Sequence, residues 1–203
     1  MKYIYLFLIA SGFVFQTVYA TSIAQVDTTY LANKSELVFE GEVVSIRSEQ
    51  VASGYIYTYV DFMPTDVLIG TRQAGVIITL RFTGGTVGDV KLDVGSTIPT
   101  LGERGVYFIE SLSKHLANPL MGWSQGHFKI QSDNTLMAGN NQVVVGVVKE
   151  DSNNRSSIAL SNGIAKGVMT AISNKNSGNP IYSVNVKPIT LDEFKSAIKS
   201  LKE

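Results

Sequence analysis

Hydrophobic and polar side chains alternate along residues 37 to 47, with Leu37, Phe39, Gly41 and Val43 on one face and Glu40 and Glu42 on the other. A period of two is that of a β-strand with one buried side. Residues 55 to 62 continue in the same way with β-branched and aromatic side chains, up to Pro64. Pro64 brings no ladder N–H, so it either ends the pairing or bulges it before Thr65 to Ile69 resume. Between the two runs, residues 48 to 54 are polar and end on a glycine, as a hairpin loop does. Residues 76 to 82 alternate again, placing Val76, Ile78, Leu80 and Phe82 inward and Thr79 and Arg81 outward. A short apolar run at 106 to 109 reads as a buried fourth strand, and 126 to 130 and 143 to 148 as further strands. The turn-rich segment between those two reverses at Gly139-Asn140-Asn141.

Other stretches break the alternation. Residues 84 to 105 contain Gly84, Gly85, Gly88, Gly95, Gly102 and Gly105 with Pro99 among them, a composition that predicts an irregular loop over one end of the sheet. Residues 149 to 162 are polar enough for an exposed loop or linker. Ile164, Val168 and Ile172 recur at four-residue spacing, predicting a short helix over 164 to 173 weakened by Gly167, followed by a mobile polar stretch from 174 to 180. The last element is the plainest: Thr190 caps a helix, Glu193 completes a capping box, and Leu191, Phe194, Ile198 and Leu201 form one apolar stripe that must dock on something.

The N-terminus carries one charge, Lys2, then an apolar run from Tyr3 to Ala10 and Phe13 to Phe15, and ends on Val18-Tyr19-Ala20. That is the pattern of a secretory signal peptide cleaved after Ala20, with an apolar core too short and interrupted to span a membrane. The predicted organisation is therefore a signal peptide over 1–20, a β-domain over 21–148, and a polar linker and helical segment over 149–203 that packs on it. The predicted address is the periplasm or the extracellular medium.

Composition narrows the chemistry. None of the 203 residues is cysteine, which excludes disulfides, thiolate nucleophiles and Cys-ligated metal sites. With 17 basic and 17 acidic side chains, binding to nucleic acid through overall basicity is not expected. The two histidines, His115 and His127, lie twelve positions apart without further clustered ligands, so neither a metal nor another cofactor is predicted. His127 alternates out from Phe128 and reads as a rim imidazole, and His115 as a solvated loop residue. Gly122-Trp123-Ser124-Gln125-Gly126 has the letters of a nucleophile elbow, but a strand follows where a helix should. A secreted hydrolase centred on Ser124 and His127 is thus an alternative, with structural glycines around Trp123 the default. Gly84-Gly85-Thr86-Val87-Gly88-Asp89 lacks the following helix and Lys-Ser/Thr pair of a phosphate loop. Tyr55, Tyr57 and Tyr59 share one strand face; with Tyr107, Trp123 and Phe128 they make either core or an aromatic surface for sugars or bases. Core is the expected use of most of them, with an exposed Tyr55 and Tyr57 pair as the functional variant.

Taken in order, Phe39-x-Gly41-x-Val43, Tyr57-Thr58-x-Val60-x-Phe62, Val67-Leu68-x-Gly70, residues 76 to 80 and Gly102-Glu103-x-x-Val106-Tyr107-Phe108-Ile109 resemble the core of netrin-like modules. These include the N-terminal domains of the tissue inhibitors of metalloproteinases. The chain is also similar to uncharacterised bacterial secreted proteins that share Gly84-Gly85, Gly102-Glu103 and Gln125-Gly126-x-Phe128 and finish on a short helix. The resemblance spans about residues 36 to 130 and implies a mainly β fold, a small, partly open OB-like Greek-key β-barrel with a C-terminal helix and a binding face or loops at one end. It does not imply inhibition through an N-terminal cysteine, because the chain has none. The functional expectation is an exported non-catalytic binding or accessory module for a protein or glycan of the envelope or medium, a cysteine-free protease inhibitor being a further alternative. The candidate ligand residues are Tyr55, Tyr57, Gly84, Gly85, Asp89, Trp123 and His127.

Overall fold

A computed structural model of the chain describes residues 28 to 95, 97 to 150, 155 to 160, 169 to 170, 183 to 184 and 188 to 201. The predicted signal peptide over 1–20 lies outside them, as do most of 164 to 173 and all of 174 to 180. A short helix α1 (Thr28–Lys34) leads into the long hairpin of β1 (Leu37–Gln50) and β2 (Ile56–Ile69), and β3 (Ile78–Thr83) returns beside β2. β4 (Gly85–Val87) and β5 (Val90–Leu92) pair only with each other. β6 (Arg104–Ile109) then crosses back to lie against β1 and is followed by β7 (His127–Ile130) and β8 (Leu136–Ala138). β9 (Val144–Glu150) and β10 (Arg155–Leu160) form another hairpin, β11 (Met169–Thr170) and β12 (Ser183–Val184) a two-residue pair, and α2 (Leu191–Ser200) ends the fold.

The fold is mainly β, as the alternation predicts. The six-stranded sheet is antiparallel throughout in the order β3-β2-β1-β6-β7-β8, and the return of β6 to the flank of β1 after the β1-β2-β3 meander is a Greek-key connection. The expected barrel closure does not occur. β3 and β8 remain separate edges, and β4 and β5 pair with each other rather than with either of them. The outer edge of β8 is taken instead by bridges from Val143 to Met137 and from Thr190 to Thr135.

Pro64 bulges the long hairpin without ending it. The β1–β2 register slips between Glu40 and Gly41, where Gly41 faces Pro64, and the proline carbonyl accepts a 2.8 Å bond from the Gly75 N–H. Only glycine fits at 41, since a Cβ there would stand 2.8 Å from the Met63 carbonyl oxygen.

Two apolar layers sandwich the centre of the sheet. On one side Leu37, Phe39, Val60, Phe62, Phe82, Tyr107 and Ile109 pack together, with Phe62 and Tyr107 ring centroids 4.7 Å apart. On the other, Leu31, Val38, Val106, Phe108, Phe128 and Leu136 meet Phe194 and Ile198 of α2, with Phe128 and Phe194 centroids 5.1 Å apart. Successive residues of β1 and β6 therefore enter opposite layers, which is why 106 to 109 reads as a continuous apolar run. α2 starts at the predicted capping box of Thr190 and Glu193. Lys195 then pins it to the sheet through Glu40 of β1 at 2.7 Å and Asp66 of β2 at 2.6 Å. Glu40, predicted on a polar face, is buried because α2 covers that face.

Five other expectations need correction. Val76 is 55% exposed, because β3 starts two residues later. The predicted loop over 84 to 105 contains the β4–β5 hairpin, and the turn-rich 131 to 142 contains β8. The predicted linker contains β10, whose pairing with β9 needs no apolar sequence. Within the predicted helix over 164 to 173, Met169–Thr170 are a strand paired with Ser183–Val184.

Candidate functional site

Cross-strand register builds a flat face on the β1-β2-β3 meander. Arg47, Tyr59 and Arg81 align in one row, Glu49, Tyr57 and Thr83 in the next, and Ser45, Asp61 and Thr79 in the row on the other side. Alternate residues share a face, so all nine point away from the layer that buries Thr58, Val60 and Phe62. Tyr55 extends the face past the end of the ladder; it is 54% exposed, and Tyr57 and Tyr59 are half-buried. The rings of Tyr55 and Tyr57 are nearly parallel, at 16°, with centroids 6.5 Å apart. The Arg81 guanidinium lies 4.4 Å from the Tyr57 ring centre and the Arg47 guanidinium 5.1 Å from that of Tyr59. At such distances the ring quadrupole attracts the guanidinium to its face.

The charges of the face are mostly paired within it. Arg47 donates to Asp61 at 2.9 Å and Thr79 donates to the same carboxylate at 2.6 Å, and these hydrogen bonds, the threonine's foremost, hold Asp61 below the usual carboxylate range. The Tyr59 hydroxyl donates to Glu49 at 2.8 Å, which raises the phenol above its ordinary value. Tyr55 and Tyr57 were legible as a candidate surface from their spacing. In the sequence, Arg81 is marked only by its outward position on the third strand, and Arg47 not at all.

The remaining candidates lie elsewhere. Gly84 and Gly85 approach β2 from its opposite side, where the Thr58 hydroxyl donates to the Gly84 carbonyl at 2.7 Å. A Cβ on Gly85 would stand 2.2 Å from the Thr58 hydroxyl oxygen, so this glycine allows a close backbone approach. Asp89 is exposed in the β4–β5 turn. Trp123 is half-buried with a left-handed φ of 61°, following Gly122 at 58°, in the single turn Trp123–Gly126.

His127 is not a rim residue. It is fully buried, its ring stacks on Tyr107 at 5.3 Å, and its Nε2 lies 2.5 Å from Glu103 Oε1. Lys129 adds a 3.0 Å ion pair to Glu103 Oε2, and the hydroxyls of Tyr107 and Thr100 donate to the same carboxylate at 3.3 and 3.1 Å. Burial pushes the Glu103 carboxyl up, but His127 and Lys129 outweigh it and hold the group at about 2. Burial and the adjacent Glu103 raise the Tyr107 phenol. The missed signal was the pairing of β6 and β7, which sets Tyr107 opposite His127. A shallow cleft of about 430 Å³ lies over Glu103, Arg104 and Lys129.

The Ser124–His127 alternative needs the hydroxyl on the imidazole. Among the described residues, Nε2 is engaged by Glu103 and Nδ1 has no partner, so that bond is absent. Ser124 instead packs its backbone on Gly139, where a Cβ would lie 2.3 Å from the serine carbonyl oxygen. His115 is exposed in its loop, and no group of three His, Asp or Glu side chains placed to hold a metal occurs among the described residues. No helix among them is long and apolar enough to cross a membrane.

Comparison with protein-family models, with curated proteins and with solved structures returns no match.

Proposed function

We propose that this protein is an exported, non-catalytic binding module, and that it holds a glycan on the outer face of β1-β2-β3. The observation that carries the reading is the parallel pair of Tyr55 and Tyr57, continued by Arg81 on the Tyr57 ring. Aromatic rings at a solvated surface offer flat apolar faces to the C–H side of a pyranose, while Arg47, Arg81, Thr79 and Thr83 bring hydrogen-bonding groups to its hydroxyls. Rings held by stacking lose little freedom when a ligand arrives, which favours binding. The open Greek-key sheet serves as the platform, in the manner of a netrin-like module without cysteines, and the site of action is the periplasm or the surrounding medium.

The test is affinity electrophoresis of the purified protein in gels containing polysaccharide extracted from its own cell envelope and medium. Retardation is expected, and Tyr55→Ala/Tyr57→Ala should weaken it by about 10-fold or more, each stacked ring contributing on the order of 1 kcal/mol. Retardation unchanged in the double variant, or absent for every extract, would remove the glycan reading.

A further inference from the structure

Resting on that reading, we propose that the glycan is acidic and that Arg81 binds a carboxylate on it. Both carboxylates of the face are already engaged: Asp61 accepts from Arg47 and Thr79, and Glu49 accepts from Tyr59. Arg47 is likewise held by Asp61. Arg81 is different. Its guanidinium lies on the Tyr57 ring, and among the described residues no carboxylate stands within ion-pair distance of it. Glu49 keeps its charge under the neutral Tyr59 hydrogen bond, on the β1 side of Tyr57, and Arg81, on the β3 side, is the cation of the face that has no ion-pair partner.

The chemistry of the two groups selects the ligand class. A guanidinium carries a planar fork of N–H donors, and that fork matches the two oxygens of a carboxylate. Tyr55 and Tyr57 supply stacking beside it. A uronic acid unit combines the two requirements, a pyranose face for the tyrosines and a carboxylate for the arginine. Single-stranded nucleic acid also stacks on aromatic rings, but it needs a basic groove along its backbone, and this face offers one uncommitted cation.

The experiment is isothermal titration of the protein with a galacturonate tetramer and with the same tetramer fully methyl-esterified, which removes the negative charge and keeps the sugar. The acid form should bind about 10-fold tighter than the ester, the gain of one charge-assisted bidentate contact at a surface. Arg81→Gln should erase that preference, so that acid and ester bind equally, and Arg81→Lys, which keeps the charge without the fork, should retain part of it. Equal binding of acid and ester, or a preference that survives Arg81→Gln, overturns the carboxylate assignment; if Tyr57→Ala then weakens both forms, the glycan face stands without it. Binding of neither form, or tighter binding of a single-stranded oligonucleotide, overturns both.

Discussion

Replacing Glu103 by glutamine removes the charge at the centre of the buried cluster and keeps its shape. The carboxylate accepts from four groups: His127 at 2.5 Å, Lys129 at 3.0 Å, Thr100 at 3.1 Å and Tyr107 at 3.3 Å. A glutamine has one acceptor oxygen and points an N–H₂ group at donors. If its carbonyl keeps His127, the bond becomes weaker and the Thr100 turn loses its partner. Loss of a charge-assisted bond and of one neutral bond amounts to about 2 kcal/mol. The proton equilibrium gives a similar figure. A carboxyl moved from 4.5 to about 2 corresponds to roughly 3 kcal/mol, the same order of magnitude. Because the folded-state value is lowered, this stability is present above pH 4.5 and is lost as the pH falls towards 2. Urea titrations of both proteins at neutral pH should show the variant less stable by about 2 kcal/mol, and thermal melts a melting temperature lower by about 4–8 °C. At about pH 2 the difference should shrink to well under half. A difference that is negligible at neutral pH, or the same at both pH values, would refute the assignment of Glu103 as the charged hub of the cluster.

The other expectations concern the frame that holds the face. Gly85→Ala places a methyl group on the Thr58 hydroxyl oxygen at a backbone φ of 131°, so it should cost about 1–3 kcal/mol and raise hydrogen exchange in β4 and β5. A wild-type exchange pattern would show that the hairpin does not depend on this close approach. Thr190→Ala removes the cap oxygen that accepts from the Glu193 N–H and should lower stability by about 1 kcal/mol in denaturant melts, with Thr190→Ser restoring most of it.

How far the sequence reveals these features depends on whether the information is local. The strand period of 37 to 47, that of 76 to 82 apart from its first two residues, the interruption at Pro64 and the capping box at Thr190 depend on near neighbours, and the pattern locates each of them. The burial of Glu40 and His127 depends on partners far along the chain. Glu40 lies under α2 through Lys195, 155 residues away, and His127 turns inward because Glu103, 24 residues earlier, meets it across β6 and β7. Alternation alone assigns both to a polar face, since it cannot show that the second face of a central strand is also covered. The tyrosine spacing was readable in the sequence. The placement of Arg81 on the Tyr57 ring required the β2–β3 register.

The most direct test of the central claim is a backbone-amide NMR titration of the protein with oligosaccharide released from its own envelope or medium polysaccharide. The account predicts shift changes concentrated at residues 45 to 49, 55 to 61 and 79 to 83, reduced by Tyr55→Ala/Tyr57→Ala. Changes centred on the cleft at Gly102, Arg104 and Lys129, or on the Trp123–Gly126 turn, would contradict it.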